Sequence, residues 1–188
     1  MNARERILDA AAGVMREQGV ANATTKQIAR AAGTSEALLY KHFRDKEEIL
    51  LHVLAERMPA FPTGARAGEG SVEANLTAVA HGALRFYLHA FPMMASMVAQ
   101  PRLMAAVRDS LAGYGAGPRH PVTALTAYLA AERDLGRVAP GADPAAGAAL
   151  LMGACFQQAF LRYFEGGPDI PEEAAAALVR GLLPALLP

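Results

Sequence analysis

TTKQIARAAGTSEALLYKHFRDKEEIL, residues 24–50, is the stretch on which the reading of this chain turns. Thr24 offers a hydroxyl that can cap a helix, and Gln27, at the third helical position, completes a capping box. That helix is short, because Gly33 follows Ala31 and Ala32 and supplies the positive φ of a turn. Ser35 caps a second short helix, Glu36 to about His42. Asp45 caps another, with Glu48 at the capping-box position, running to about Met58. Two short helices joined by a turn of about four residues make a helix-turn-helix. Ile28, Ala29, Ala32, Leu39 and Phe43 can pack the pair together and against Ile7, Ala11 and Ile49.

The residues left outside suit DNA. Thr24, Thr25, Ser35, Tyr40, His42 and Lys46 carry hydroxyl, imidazole and ammonium donors fitted to phosphate oxygens, and Thr25, Ser35 and Lys46 sit at helix N-termini, which favour anions. Glu36, Ala37, Leu38 and Lys41 remain to meet base edges. A glutamate can accept from cytosine N4, an alanine or leucine can touch a thymine methyl, and a lysine can donate to guanine. Charge agrees. The formal net charge is zero, yet all three lysines, Lys26, Lys41 and Lys46, lie in this stretch, and from Thr24 to Lys46 five basic residues face two acidic ones. Nine arginines and ten acids follow from Pro59 onward, so the basic charge is local to one small head.

With these residues in view, Arg4 to about Met58 resembles the DNA-binding head of the TetR family of bacterial transcriptional regulators. The matching features are Thr25, Ile28-Ala29, Ala32-Gly33, Ser35, Leu39-Tyr40, His42-Phe43 and Lys46-Glu47-x-x-Leu50, in order and without gaps. The resemblance implies an all-helical homodimer in which three helices form the head, a fourth connects it to a ligand-binding body, and the last two dimerise. Thr34 departs from the pattern, where a small aliphatic residue is commoner. Glu36 departs too, and its negative charge near phosphates should narrow sequence choice more than raise affinity.

Outward from the head, every classifiable segment has helical periodicity and none alternates as a strand does. Ile7, Leu8, Ala11, Val14 and Met15 form one face of a first helix that Gly19 ends. Later helices are expected at about Val72–Ala90, stopping before Pro92, then Arg102–Leu111, Val122–Leu135, Pro144–Glu165 and Pro171–Leu187. The expectation is an all-α chain of about nine helices, with a head over residues 1–45 and a connecting helix, ligand-binding and dimerisation body over 46–188. Pro59, Pro62 and TGARAGEGS form the longest break in the first half.

The body is expected to hold a largely apolar effector. Met93, Met94, Met97 and Met104 put four of the eight methionines into twelve residues beside Phe86, Tyr87 and Phe91. Methionine is flexible and polarizable and suits adaptable pockets. Phe86, Met94, Met97, Met104, Phe156 and Phe160 are the candidate lining, with Arg85, His81 or Gln157 as polar contacts. The helix from Pro144 is nearly all apolar or small, so it should be buried on most sides. Its Ala146, Gly147, Leu150 and Ala154 permit close approach, and Ala174, Ala177, Leu178, Leu182 and Leu186 line the last helix. The last two helices of two copies would form an isologous four-helix bundle.

The functional expectation is a homodimeric repressor, released from a palindromic double-stranded operator by a small apolar ligand. The alternative is a helical small-molecule-binding protein whose head does not read DNA. No Ser-His-Asp order, phosphate loop or paired carboxylate speaks for an enzyme. The lone Cys155 cannot build a thiolate cluster, and His81 and His89 lack a third ligand, so neither metal nor cofactor is expected. With no signal-peptide core and no long uninterrupted apolar run, the expectation is a cytoplasmic protein without a membrane partner.

Overall fold

The computed structural model describes residues 2–57, 65–113, 117–167 and 169–188. The described residues form nine helices and no strand: α1 (Ala3–Asn22), α2 (Thr25–Ala31), α3 (Glu36–His42), α4 (Lys46–Glu56), α5 (Val72–Val98), α6 (Pro101–Gly113), α7 (His120–Asp134), α8 (Pro144–Phe164) and α9 (Glu172–Leu186). The expected break around Pro59 and Pro62 and the tip of the 113–121 loop fall largely outside the described residues.

The helices gather into two compact units, one of residues 1–59 and 89–117, the other of 60–88 and 118–188. In the first, α1 packs on α2, α3 and α4, α2 on α3, and α4 on α6. Its core holds Ile7, Leu8, Met15, Ile28, Leu39, Phe43, Ile49, Leu50 and Val53, joined by Met93, Met97, Leu103 and Val107. α4, which the sequence reading grouped with the body, is thus packed with the head.

In the second unit α7 packs on α8 and α8 on α9. Asp143 caps α8 by accepting from Ala145 N at 2.9 Å and Ala146 N at 3.1 Å, with Pro144 at the first helical position. Gly147 lets the backbone come close: a Cβ there would stand 3.0 Å from a Leu186 methyl and 3.5 Å from one of Leu129. Glu132 is fully buried, with Arg137 Nε 3.1 Å from one carboxylate oxygen and Gly68 N 3.4 Å from the other. Tyr128 accepts from Asn75 Nδ2 at 3.0 Å, and burial pushes its hydroxyl up to about 12. Cys155 is buried against the Ala80 carbonyl, and burial raises its thiol to about 12, which leaves it an unreactive core residue.

Two expectations change. α5 does not stop before Pro92 but runs through it to Val98. An interior proline costs about 3 kcal/mol. Met93 and Met97 beyond that point are both buried, and each such side chain returns about 1.5–3 kcal/mol. Burial therefore outweighs the lost backbone bond. α8, expected to be buried on most sides, is buried on one. Gly147, Ala148, Leu151, Met152, Cys155 and Ala159 pack inside, while Leu150, Phe156, Phe160, Leu161, Tyr163 and Phe164 are exposed. Of the four residues expected to permit close approach, only Gly147 is buried; Ala146 and Leu150 are exposed and Ala154 is half-buried. Among the described residues α8 is the one helix long and apolar enough to cross a membrane.

Gly19 interrupts α1 with φ 75° and ψ 157°, a conformation essentially confined to glycine. A Cβ there would also lie 2.6 Å from Ser96 Oγ, which accepts from Ala21 N at 3.5 Å. Gly19→Ala should lower stability by about 1–3 kcal/mol in denaturant unfolding. Adding Ser96→Ala should recover only the contact, not the backbone strain. A Gly19→Ala chain as stable as the parent would contradict this account of the turn.

Candidate nucleic-acid interface

The helix-turn-helix is built by its caps. Thr24 accepts from Gln27 N while the Gln27 side chain accepts from Thr24 N, closing the capping box that opens α2. Gly33, at φ 63°, turns the chain, and Thr34 N donates to Ala29 O at 2.9 Å. Ser35 then accepts from Leu38 N at 3.2 Å to start α3. Asp45 starts α4 by accepting from Glu48 N at 2.7 Å. Glu48 reaches back to the amide of Arg44 rather than that of Asp45, and this hydrogen bond holds its carboxyl below the usual carboxylate range.

Leu39 and Phe43 anchor α3, so the rest of its surface faces outward. Ser35, Ala37, Tyr40, Lys41 and His42 are exposed, and Glu36 and Leu38 are half-buried. Thr24 is exposed at the start of α2, with Thr25 half-buried beside it. Thr25 Oγ1 donates to Glu36 Oε1 at 2.9 Å and lies 3.1 Å from the Tyr40 hydroxyl. Lys46 is half-buried, and its ammonium donates to the carbonyls of Val20 at 2.8 Å and Ala21 at 3.3 Å. It therefore ties the start of α4 to the end of α1 as well as adding positive charge. Lys26 and Arg30 stand exposed on α2, two further cations on the same head.

Behind this surface α1 and α4 are clamped by charge in both directions. Arg4 of α1 donates to Glu56 at 2.5 Å, lies 3.1 Å from His52 Nδ1, and sits over the Phe43 ring at 5.7 Å. Arg57, just beyond α4, donates to Asp9 at 2.7 Å and to Glu5. The Arg4 hydrogen bond, with a second from His52, draws the Glu56 carboxyl down from 4.5 to about 2.

The six residues expected to line a ligand pocket fall in different units. Met97 is buried in the core of the first unit, and Met94 and Met104 pack against that core. There the methionines complete a packed core, an ordinary use of a flexible side chain. Phe86, half-buried, and Phe156 and Phe160, both exposed, belong to the second unit, where Tyr87 meets Phe156 edge-on at 5.3 Å. A separate cleft of about 200 Å³ in that unit is lined by Val79, Pro121, Ala124, Leu125, Tyr128 and Ala131, among others, and by none of the six. No group of His, Cys, Asp and Glu among the described residues could hold a metal ion.

Residues 7–53 match the model of bacterial regulatory proteins of the tetR family. Over 54 residues the chain is 52% identical to the HTH-type transcriptional regulator SrpR of Pseudomonas putida, a match that spans 29% of this chain and 25% of SrpR. The chain thus matches only about a quarter of that relative's length. Solved structures resemble the whole fold. The fatty acid degradation regulator FadR of Bacillus halodurans superposes with a TM-score of 0.72 at 20% identity, covering 97% of this chain and 95% of FadR. SmeT, the repressor of the Stenotrophomonas maltophilia multidrug efflux pump SmeDEF, gives 0.67 at 23% identity, covering 98% and 90%.

The Glu56 carboxyl titrates lower in the folded chain than in the unfolded one. Its contribution is therefore complete above about pH 4.5 and is lost as pH falls toward about 2. Glu56→Gln should cost stability at neutral pH and flatten the loss between those values, read as chemical-denaturation midpoints across pH. An unchanged acid limb would show that the clamp does not stabilise the head.

Proposed function

We propose that this chain, whose head belongs to the tetR family of bacterial regulatory proteins, is a sequence-specific DNA-binding transcriptional regulator. The observation that carries the reading is the α2–turn–α3 surface, where anchored Leu39 and Phe43 leave Ser35, Ala37, Tyr40, Lys41 and His42 exposed together on a locally basic head. In this reading Thr24, Thr25, Ser35, Tyr40, His42 and Lys46 meet phosphates, and Glu36, Ala37, Leu38 and Lys41 meet base edges in a major groove.

The working unit is a homodimer formed through α8 and α9. What supports this is the exposed apolar stripe of α8, Leu150, Phe160, Leu161 and Phe164, beside the exposed Ala177, Gly181 and Ala185 of α9. Large contiguous apolar surface marks an interface, and a two-fold pairing gives the palindromic operator. Heads about 34 Å apart reach successive major grooves. A small apolar effector that binds better to a body incompatible with that spacing lowers DNA affinity by the difference alone, which makes the chain a ligand-relieved repressor. The apolar cleft beside Tyr128 supports the effector, as does the fold shared with SmeT, which has been solved as a complex with triclosan. The cytoplasm, where such DNA lies, is the compartment that goes with this role.

A fluorescence-anisotropy titration on duplexes enriched from a random library tests the reading. Six to ten phosphate contacts should cost about a thousandfold or more in affinity between 50 and 200 mM salt. Salt-independent binding, or none, would favour a ligand-binding protein whose head does not read DNA. The variant Leu150→Glu with Phe164→Glu should sediment as a single chain and lose most DNA affinity while keeping its helical content. Retained dimer would remove α8 from the interface.

A further inference from the structure

Three side chains on the outer surface of the head form a chain of hydrogen bonds whose direction is fixed by counting protons. Thr25 Oγ1 carries a single proton, and it goes to Glu36 Oε1 at 2.9 Å. The 3.1 Å contact between Thr25 and Tyr40 must then use the Tyr40 proton. Both hydroxyl protons are thus directed along Tyr40–Thr25–Glu36 toward one carboxylate. Glu36 and Tyr40 stand one turn apart on α3, and Thr25 opens α2.

We infer that the Thr25–Glu36 hydrogen bond makes the phosphate contact of Thr25 conditional on the base that Glu36 meets, and that the permitted base is cytosine. The inference rests on the DNA-reading function proposed above. A phosphate oxygen is an acceptor and needs a donor, but the Thr25 proton is already given to an anion, while the Tyr40 proton rests on the Thr25 hydroxyl. Handing the Thr25 proton to phosphate strips Glu36 of its partner and leaves a half-buried carboxylate short of a hydrogen bond, which is costly. Cytosine removes that cost. Its N4 amino group donates to the carboxylate in the major groove, replacing the Thr25 proton and releasing that hydroxyl to the backbone. Guanine and thymine present acceptors or a methyl group at their edges, and adenine sets its N7 acceptor beside its amino group. Against these the carboxylate keeps its hydroxyl and repels the strand. Glu36 is a specificity determinant that acts through Thr25, and it operates mainly by weakening attachment to the wrong sequence.

The full-length protein is used to select from a random-core duplex library, and the enriched duplex and a shuffled version are then titrated. The expected wild-type selection carries a cytosine at one position of each half-site. Glu36→Ala should bind the shuffled duplex about tenfold more tightly and lose that cytosine. Glu36→Gln, which keeps the shape but adds an amide donor, should shift the selected base toward adenine; it also serves if Glu36→Ala does not fold. Thr25→Val, which removes the hydroxyl that Glu36 holds, should weaken the enriched duplex several-fold more than the shuffled one. Glu36→Ala weakening both duplexes equally, a cytosine that survives it, or Thr25→Val weakening both duplexes alike would overturn the conditional contact while leaving DNA reading intact. A wild-type protein that enriches no sequence would overturn both.

Discussion

Leu39 within α3 and Phe43 at its end are the side chains on which the proposed DNA-facing surface depends. A seven-residue helix is too short to persist alone in water. Burying these two side chains, at about 1.5–3 kcal/mol each, fixes α3 on α1 and α2. Once they are inside, the helical period leaves Glu36, Ala37, Tyr40 and Lys41 no choice but to face out. Arg4 over the Phe43 ring and bound to Glu56, with Arg57 returning the contact to Asp9 and Glu5, keeps α1 and α4 from sliding past each other. The head presents its surface as a rigid object because its inner side is over-determined.

The head was legible because its signals are local. Caps at Thr24, Ser35 and Asp45, the turn glycine and the spacing of Ile28, Leu39 and Phe43 all lie within a few residues of the elements they define, and the structure has each of them. The Thr25–Glu36 and Thr25–Tyr40 hydrogen bonds were not legible, since they join residues eleven and fifteen positions apart on different helices. Nor was the fate of Pro92. Propensity ends a helix there, and only the core that receives Met93 and Met97 explains why α5 continues.

Composition was a weaker guide to the second unit. A cluster of methionines suits either a pocket or a packed core, and Met93 and Met97 turn out to complete the core under the head. In α8 the pattern of small and large residues was visible, but not which side would be spent inside the chain. Gly147 faces Leu186 and Leu129 inside, while Leu150 and Phe164 stay exposed and, in the dimer proposed above, would meet a second copy. An apolar content of 53% is then shared between the two cores and an exterior stripe.

The central claim is that two such heads, held by paired bodies, read one duplex together. Hydroxyl-radical footprinting on an enriched duplex tests it most directly. The account predicts two protected patches, related by two-fold symmetry and centred about one helical turn apart on one face of the DNA. A single patch, or protection that does not localise, would contradict it.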